Sequence, residues 1–335
     1  MKLPGYIFFA CMLLAATAAA TEKTADPLLR PAEVPFPADN KPTAARVELG
    51  KMLFFDPRLS GSRWISCATC HNPALAWSDG LPTMLGHGMQ QGRRSTPTIL
   101  NTAYNNVQFW DGRAATLEAQ ALGPIEAEGE MHQKADELPD RLMAIEGYRR
   151  AFARAYPDEK ISKLTIAKAL ASFERTIVST ESPFDRWRRG DKKALSASAQ
   201  RGFSLFTGRA NCMACHQGFN FDDDGFHNIG LPLSGGDEDV GRFAHRKVKV
   251  NKGAFKTPTL RDVALTAPYM HNGVYKSLQE VVEHYNKGGV THENLDPNIR
   301  PLNLSDQDQA DIVAFLQSLT GKPMKVVLPH LPVGR

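Results

Sequence analysis

A chain of 335 residues with 40 Lys+Arg against 36 Asp+Glu, a formal net charge of +4, is too evenly charged to suggest a nucleic-acid partner. At 42% hydrophobic and 23% charged residues it has a globular composition, and it is long enough for two domains. Five cysteines are too few to exclude a reduced chain or to demand a disulfide framework, so their spacing has to decide their use.

The N-terminus reads as an export signal. Lys2 supplies a positive charge, Ile7 to Leu14 an apolar run, and Ala18-Ala19-Ala20 a small-residue cleavage site. The run is too short to cross a bilayer, so no membrane span is expected, and Cys11 is discarded with residues 1–20. Residues 21–45, rich in Pro, Ala and charge, form an extended lead-in. VELGKMLFF (47–55) suits a short helix through apolar positions 47, 49, 52 and 53. Asp56-Pro57-Arg58 then turns the chain.

Cys67-Ala68-Thr69-Cys70-His71 follows, and it recurs as Cys212-Met213-Ala214-Cys215-His216. C-x-x-C-H is the attachment signature of c-type haem: the two thiols reach the porphyrin vinyl groups, and the histidine becomes the proximal iron ligand. A four-cysteine zinc ribbon wants its pairs about 15–20 residues apart, whereas these lie in opposite halves of the chain. A dithiol redox pair has no use for the histidine. Two covalently bound haems c are therefore expected. Covalent haem attachment in bacteria takes place outside the cytoplasm, which agrees with the export signal and places the mature chain in the periplasm. No cysteine then remains for a disulfide.

Residues 78–97 are glycine-rich and polar between Pro82 and Pro97, and a long irregular stretch of this kind is usually functional or mobile. It holds His87; a lone loop histidine is ordinarily solvated. Trp110 sits in an Asn/Gln/Asp/Gly-rich setting outside any helical stripe, although tryptophan is more often core filling. The spacing of Ile166, Leu170, Phe173 and Ile177 predicts a helix over 161–180, and residues 188–198 read as the interdomain link. Residues 218–256 are Gly/Asp-rich and are expected to be mostly loop. Ser277 and Glu280 form a capping box for a helix over 277–285 with Leu278, Val281, Val282 and Tyr285 on its apolar face, stopped by Gly288-Gly289. The last helix starts at Ser305 with Asp308 and turns Ile312, Val313, Phe315, Leu316 and Leu319 inward. Strand signals are few, so the fold class is mainly α with long loops.

With these residues in hand, the chain resembles the bacterial di-haem cytochrome c peroxidase family, including its MauG branch. The resemblance covers nearly all of the mature chain. It rests on LGKMLFFDPRLS (49–60), SCATCHNP (66–73), FWDGRAATLEAQALGPIEAEGEM (109–131), SFERTIVSTESPFD (172–185), NCMACHQG (211–218), FKTPTLRDVALTAPYMHNGV (255–274) and IVAFLQSLTG (312–321). It implies two cytochrome c-like domains, each wrapping one haem: a peroxidatic domain over 21–195 and an electron-transfer domain over 196–335, whose tail packs back on the first.

The resemblance also assigns roles. Cys67, Cys70 and His71 would hold the peroxide-reacting haem, and Cys212, Cys215 and His216 the electron-transfer haem. Trp110 matches the tryptophan that couples the two. Gln120 and Glu130 match the distal pair, and the chemistry needs a carboxylate there, because peroxide must lose a proton from one oxygen and gain one on the other. His87 aligns with a histidine that caps the peroxidatic iron in many members and is absent from the MauG branch. Tyr285 stands where ordinary peroxidases carry a methionine ligand to the second haem and MauG carries tyrosine. A phenolate is a hard anionic donor that favours oxidised iron and lowers the potential; on periodicity alone Tyr285 would be a core residue. A calcium ion would take the backbone carbonyls of Thr266 and Pro268, as hard cations prefer oxygen. Its third ligand position, usually asparagine, is the shorter Ser95.

Three functions compete. The first is a peroxidase reducing hydrogen peroxide to water with electrons from a small exported donor of cytochrome c or cupredoxin type. The second is MauG-like oxidation of a partner protein; Tyr285 favours it, while His87 favours the first. The third is a non-catalytic electron-transfer cytochrome, against which the Gln120/Glu130 pocket argues. The family is often homodimeric.

Overall fold

The computed structural model describes Met1 and residues 26–232 and 238–334, so the export signal expected over 1–20 lies, Met1 apart, outside the described residues. Ten α-helices are present among them: α1 (Ala44–Phe55), α2 (Cys67–Cys70), α3 (Leu117–Glu126), α4 (Leu138–Met143), α5 (Glu146–Ala155), α6 (Lys163–Glu174), α7 (Pro183–Arg188), α8 (Ala197–Thr207), α9 (Leu278–Lys287) and α10 (Asp306–Ser318). Two antiparallel strands of two residues, β1 (Phe226–His227) and β2 (Phe255–Lys256), form the described sheet. None of these helices is long and apolar enough to cross a membrane.

The helices gather into two cores. The first joins Leu49, Leu53 and Phe54 of α1 to Ile166, Leu170 and Phe173 of α6, with Ile125 and Tyr148 filling in from α3 and α5. The second joins Phe206 of α8 to Ile312, Phe315 and Leu316 of α10. One device serves both. A Cβ on Gly50 would overlap the Ala169 carbonyl and crowd Phe173, and a Cβ on Gly202 would overlap the Asp311 carbonyl and crowd Phe315. Each half therefore crosses the helix before its haem motif against its last helix at backbone contact, which only glycine permits.

The helix starts follow the sequence. Ser277 accepts from Glu280 N–H while the Glu280 side chain returns to the Ser277 N–H, and Ser305 and Asp308 repeat the pattern. Gly288, at φ 82°, ends α9 in the left-handed conformation. The helix expected over 161–180 is shorter, ending at Glu174. Beyond it Asn101 captures the backbone: its N–H donates to the Ile177 carbonyl at 2.9 Å, and its Oδ1 accepts from Ser179 N–H at 2.9 Å.

The ends cross over. Leu28 and Phe184 of α7 belong to the second core, and Arg261 donates to the Leu28 carbonyl at 2.7 Å. Met324 and Val326 of the tail pack on the first core, and Arg58 donates to the Gly334 carbonyl at 3.1 Å. Each end of the described chain thus straps the opposite half.

Candidate active site

Each C-x-x-C-H motif is held ready for iron. Ser66 and Thr69 cap the short α2, so Cys67 and Cys70 share a turn and His71 follows as its C-cap. The His71 Nδ1 lies 3.2 Å from the Trp77 carbonyl and the His216 Nδ1 2.7 Å from the Phe221 carbonyl. A carbonyl can only accept, so Nδ1 carries the proton in both rings and Nε2 is left with its lone pair. Burial pushes both imidazoles towards the neutral form, His216 down to about 4. The four thiols are not bridged. Burial raises the thiols of Cys67, Cys70 and Cys212, Cys70 to about 11 and Cys212 to about 12.

Two cavities adjoin these motifs, of about 680 Å³ beside Cys70 and His71 and about 790 Å³ beside Cys212, Cys215 and His216. Both fall in the roughly 300–1,000 Å³ range of cofactor sites, and Cys67 packs on the first core one turn before His71. Paired thiols, a neutral imidazole with a bare Nε2 and a cavity of cofactor size make each site fit a covalent haem.

Gln120, Glu130, Trp110 and Met84 line the first cavity with His71. Thr116 starts α3 by accepting from Ala119 N–H at 3.1 Å. Pro124, inside α3, has no N–H to give the Gln120 carbonyl, so the helix loosens where it meets the cavity. The chain then turns, Glu130 N–H donating to the Ala127 carbonyl at 3.0 Å. Burial raises the Glu130 carboxyl, and Arg113 only partly opposes it.

His87 is placed differently. It is not among the residues lining either cavity. Its ring stacks on His132, with centroids 4.7 Å apart and planes 16° from parallel, and its backbone N–H donates to the Glu130 carbonyl at 2.8 Å. Its buried Nδ1 has no hydrogen-bond partner.

Trp110 lines both cavities. Its indole N–H donates to the Ser95 carbonyl at 2.9 Å, and its own carbonyl accepts from Lys256 N–H at 2.8 Å. Next door, Asp111 pairs with Arg94 at 2.6 Å and Arg113 at 3.0 Å, and Arg94 continues to Asp239 at 2.7 Å. This charge network, built round the buried Asp111, joins the two halves beside the tryptophan.

In the second cavity, Tyr285 lies on the same wall as Val281 and Val282 of α9, and burial pushes its phenol well above the usual range. Two neighbours could compete for the iron. His284 is engaged at both nitrogens, Nδ1 with Tyr275 Oη and Nε2 with the Ile229 carbonyl, each at 2.9 Å. Met270 lies between the cavities and lines both. Ser95, Thr266 and Pro268 come together at the first cavity, and Ser95 N–H donates to the His271 carbonyl at 2.7 Å.

Sequence reading passed over Glu174, which lines the first cavity at 6% exposure. Burial raises its carboxyl to about 8, Glu118 adding to the rise and Arg175 opposing it. The available signal was an acid directly after Phe173 on a helix that is buried on nearly every side.

Comparison with known proteins agrees with this geometry. The model of the di-haem cytochrome c peroxidase family matches residues 44–193, and that of cytochrome c matches residues 199–320. The methylamine utilization protein MauG of Methylorubrum extorquens is 49% identical, covering 90% of this chain and 86% of the relative. The cytochrome-c peroxidase IdrP1 of Denitromonas iodatirespirans is 40% identical, covering 96% and 94%. A crystal structure of a MauG-like protein associated with microbial copper homeostasis superposes with a TM-score of 0.81 at 32% identity, covering 88% of this chain and 95% of that one. With two haem motifs of matching architecture and relatives of both kinds along nearly its whole length, the chain belongs to the di-haem cytochrome c peroxidase and MauG family.

Proposed function

We propose that the chain reduces hydrogen peroxide to two waters in the cavity of His71, and that oxidising equivalents are shared with the His216 site through Trp110. The observation that carries this reading is Glu130, a half-buried carboxyl of raised pKa in the same cavity as the bare Nε2 of His71. Haem, when bound by Cys67, Cys70 and His71, supplies the iron and the redox equivalents for O–O cleavage. Glu130 takes the proton from one peroxide oxygen and returns it to the other, so that water rather than hydroxide leaves. Gln120 offers an amide to orient the peroxide. Each turnover takes up two electrons and two protons, the electrons coming from a small exported cytochrome c or cupredoxin. The Ser95, Thr266 and Pro268 oxygens suit a calcium ion that ties the halves together, and the site of action is the periplasm.

A second reading, oxidation of a partner protein as in MauG, is favoured by two observations. Tyr285 is the ligand candidate for the second haem, with His284 engaged elsewhere, and His87 is stacked on His132 clear of the cavity. In that arrangement the first site is open to peroxide without prior reduction. A swing of the loop around His87 would be required to cap it.

Glu130→Gln tests the common core of both readings. General acid–base help is worth roughly 10²–10⁴-fold, so peroxide turnover should fall by about that factor while the resting haem spectrum is unchanged. Because the Glu130 carboxyl is raised, the wild-type rate should decline as pH falls through a value above the ordinary carboxylate range. An unchanged rate in the variant would remove Glu130 from the mechanism.

A further inference from the structure

Beside Tyr285 lies a hydrogen-bonded pair that the reaction above leaves unused. The Tyr275 Oη is 2.9 Å from His284 Nδ1, and His284 Nε2 is 2.9 Å from the Ile229 carbonyl. The carbonyl can only accept, so Nε2 carries the proton of a neutral imidazole and Nδ1 is bare. The Tyr275 hydroxyl is therefore the donor in the bond to Nδ1. His284 is 6% exposed, and its ring bridges two tyrosines: centroids are 5.4 Å from Tyr275 and 5.4 Å from Tyr285. Tyr275 itself is half-buried, held by the bond from Tyr269 N–H to its carbonyl at 2.7 Å.

A phenol gives up an electron easily only if its proton leaves at the same time, because the protonated radical is a strong acid with no place in a protein interior. Tyr275 has a bare imidazole nitrogen within hydrogen-bond reach of its O–H. One further ring away is Tyr285, on the wall of the second haem cavity. The other members of the set are accounted for: Ile229 fixes the tautomer, and Tyr285, edge-on to the His284 ring, lines the cavity.

We propose that Tyr275 is a redox relay that carries oxidising equivalents from the second haem site to the protein surface, with His284 as its proton acceptor. The relay rests on the peroxidase reading, which supplies the oxidant as a peroxide-derived equivalent at the second haem. One electron leaves the Tyr275 ring and fills that equivalent. The Oη–H bond breaks, and its proton crosses to Nδ1, where a new N–H bond forms. Tyr275 becomes a neutral phenoxyl radical and His284 an imidazolium whose Nε2–H still donates to Ile229. An external one-electron donor at the surface then restores the phenol, and the proton returns from Nδ1 to Oη. Substrates too large to approach the haem are thereby oxidised at the surface.

The test is freeze-quench electron paramagnetic resonance on the fully oxidised holoprotein after one equivalent of hydrogen peroxide, with the haem absorption recorded in parallel. The expected result is an organic radical signal that narrows when ring-deuterated tyrosine is incorporated. Tyr275→Phe should abolish that signal while the haem bands still respond to peroxide. His284→Phe, which keeps Tyr275 but removes its proton acceptor, should abolish it as well. A signal undiminished in either variant overturns the relay, as does a wild type whose haem bands change with no tyrosine radical. Haem bands that do not respond to peroxide at all overturn the peroxidase reading and the relay together.

Discussion

The indole N–H of Trp110 donates to the backbone carbonyl of Ser95 at 2.9 Å, and the next atoms along that strand of contacts belong to the other half of the chain. Ser95 N–H donates to the His271 carbonyl, the His271 ring lies edge-on to the indole at 6.4 Å, and Lys256 N–H holds the Trp110 carbonyl. Trp110, which lines both cavities, is thus fixed by main-chain atoms from both halves. The proposed exchange between the two sites needs a fixed bridge, and main-chain bonds from both halves hold Trp110 in place.

Glu174 should make stability fall as pH rises. Its folded-state carboxyl, raised by burial to about 8, lies above the unfolded value. The extra stability is therefore fully present below the ordinary carboxylate range and is lost as pH climbs through about 8. Glu174→Gln keeps a neutral group of the same shape and should flatten the dependence between about pH 5 and 9, a difference of the order of a few kcal/mol. Denaturant midpoints of the holoprotein across that range would measure it.

Gly202→Ala should destabilise the second half. An alanine in a helix interior gains about 1 kcal/mol in propensity, but here its Cβ meets the Asp311 carbonyl and the Phe315 side chain. Overpacking costs about 1–3 kcal/mol, and main-chain atoms cannot yield cheaply, so the clash wins. Thermal unfolding of the variant should show a lowered midpoint.

Much of this was legible in the sequence, and the rest was not for identifiable reasons. Haem attachment at His71 and His216, and the caps Ser277/Glu280 and Ser305/Asp308, are local patterns, readable because their partners lie within a few residues. The apolar spacing of Leu138, Leu142, Tyr148 and Phe152 in α4 and α5 was readable in the same way and was passed over. Three features were beyond local reading. The end of α6 is set by Asn101, which lies far upstream. The resting place of His87 is set by His132. His284 is buried on α9, and the acceptor for its Nε2 is the carbonyl of Ile229, far upstream in the chain.

Tyr285→Met should raise the potential of the second haem. Axial ligands span roughly 0.8 V in haem proteins, and exchanging a hard anionic phenolate for a neutral thioether covers a sizeable part of that range. A shift on the order of a few hundred millivolts is expected in a spectroelectrochemical titration, with the first haem little changed. No shift would mean that Tyr285 is not the ligand.

The central claim is that one site meets peroxide and both share the outcome through Trp110. It is tested most directly by adding one equivalent of hydrogen peroxide to the fully oxidised holoprotein and recording visible and near-infrared absorption. The account predicts a rapid change in the haem bands without prior reduction, with a near-infrared charge-resonance band that Trp110→Ala abolishes. No reaction until one haem has been reduced, or a near-infrared band that survives in Trp110→Ala, would contradict it.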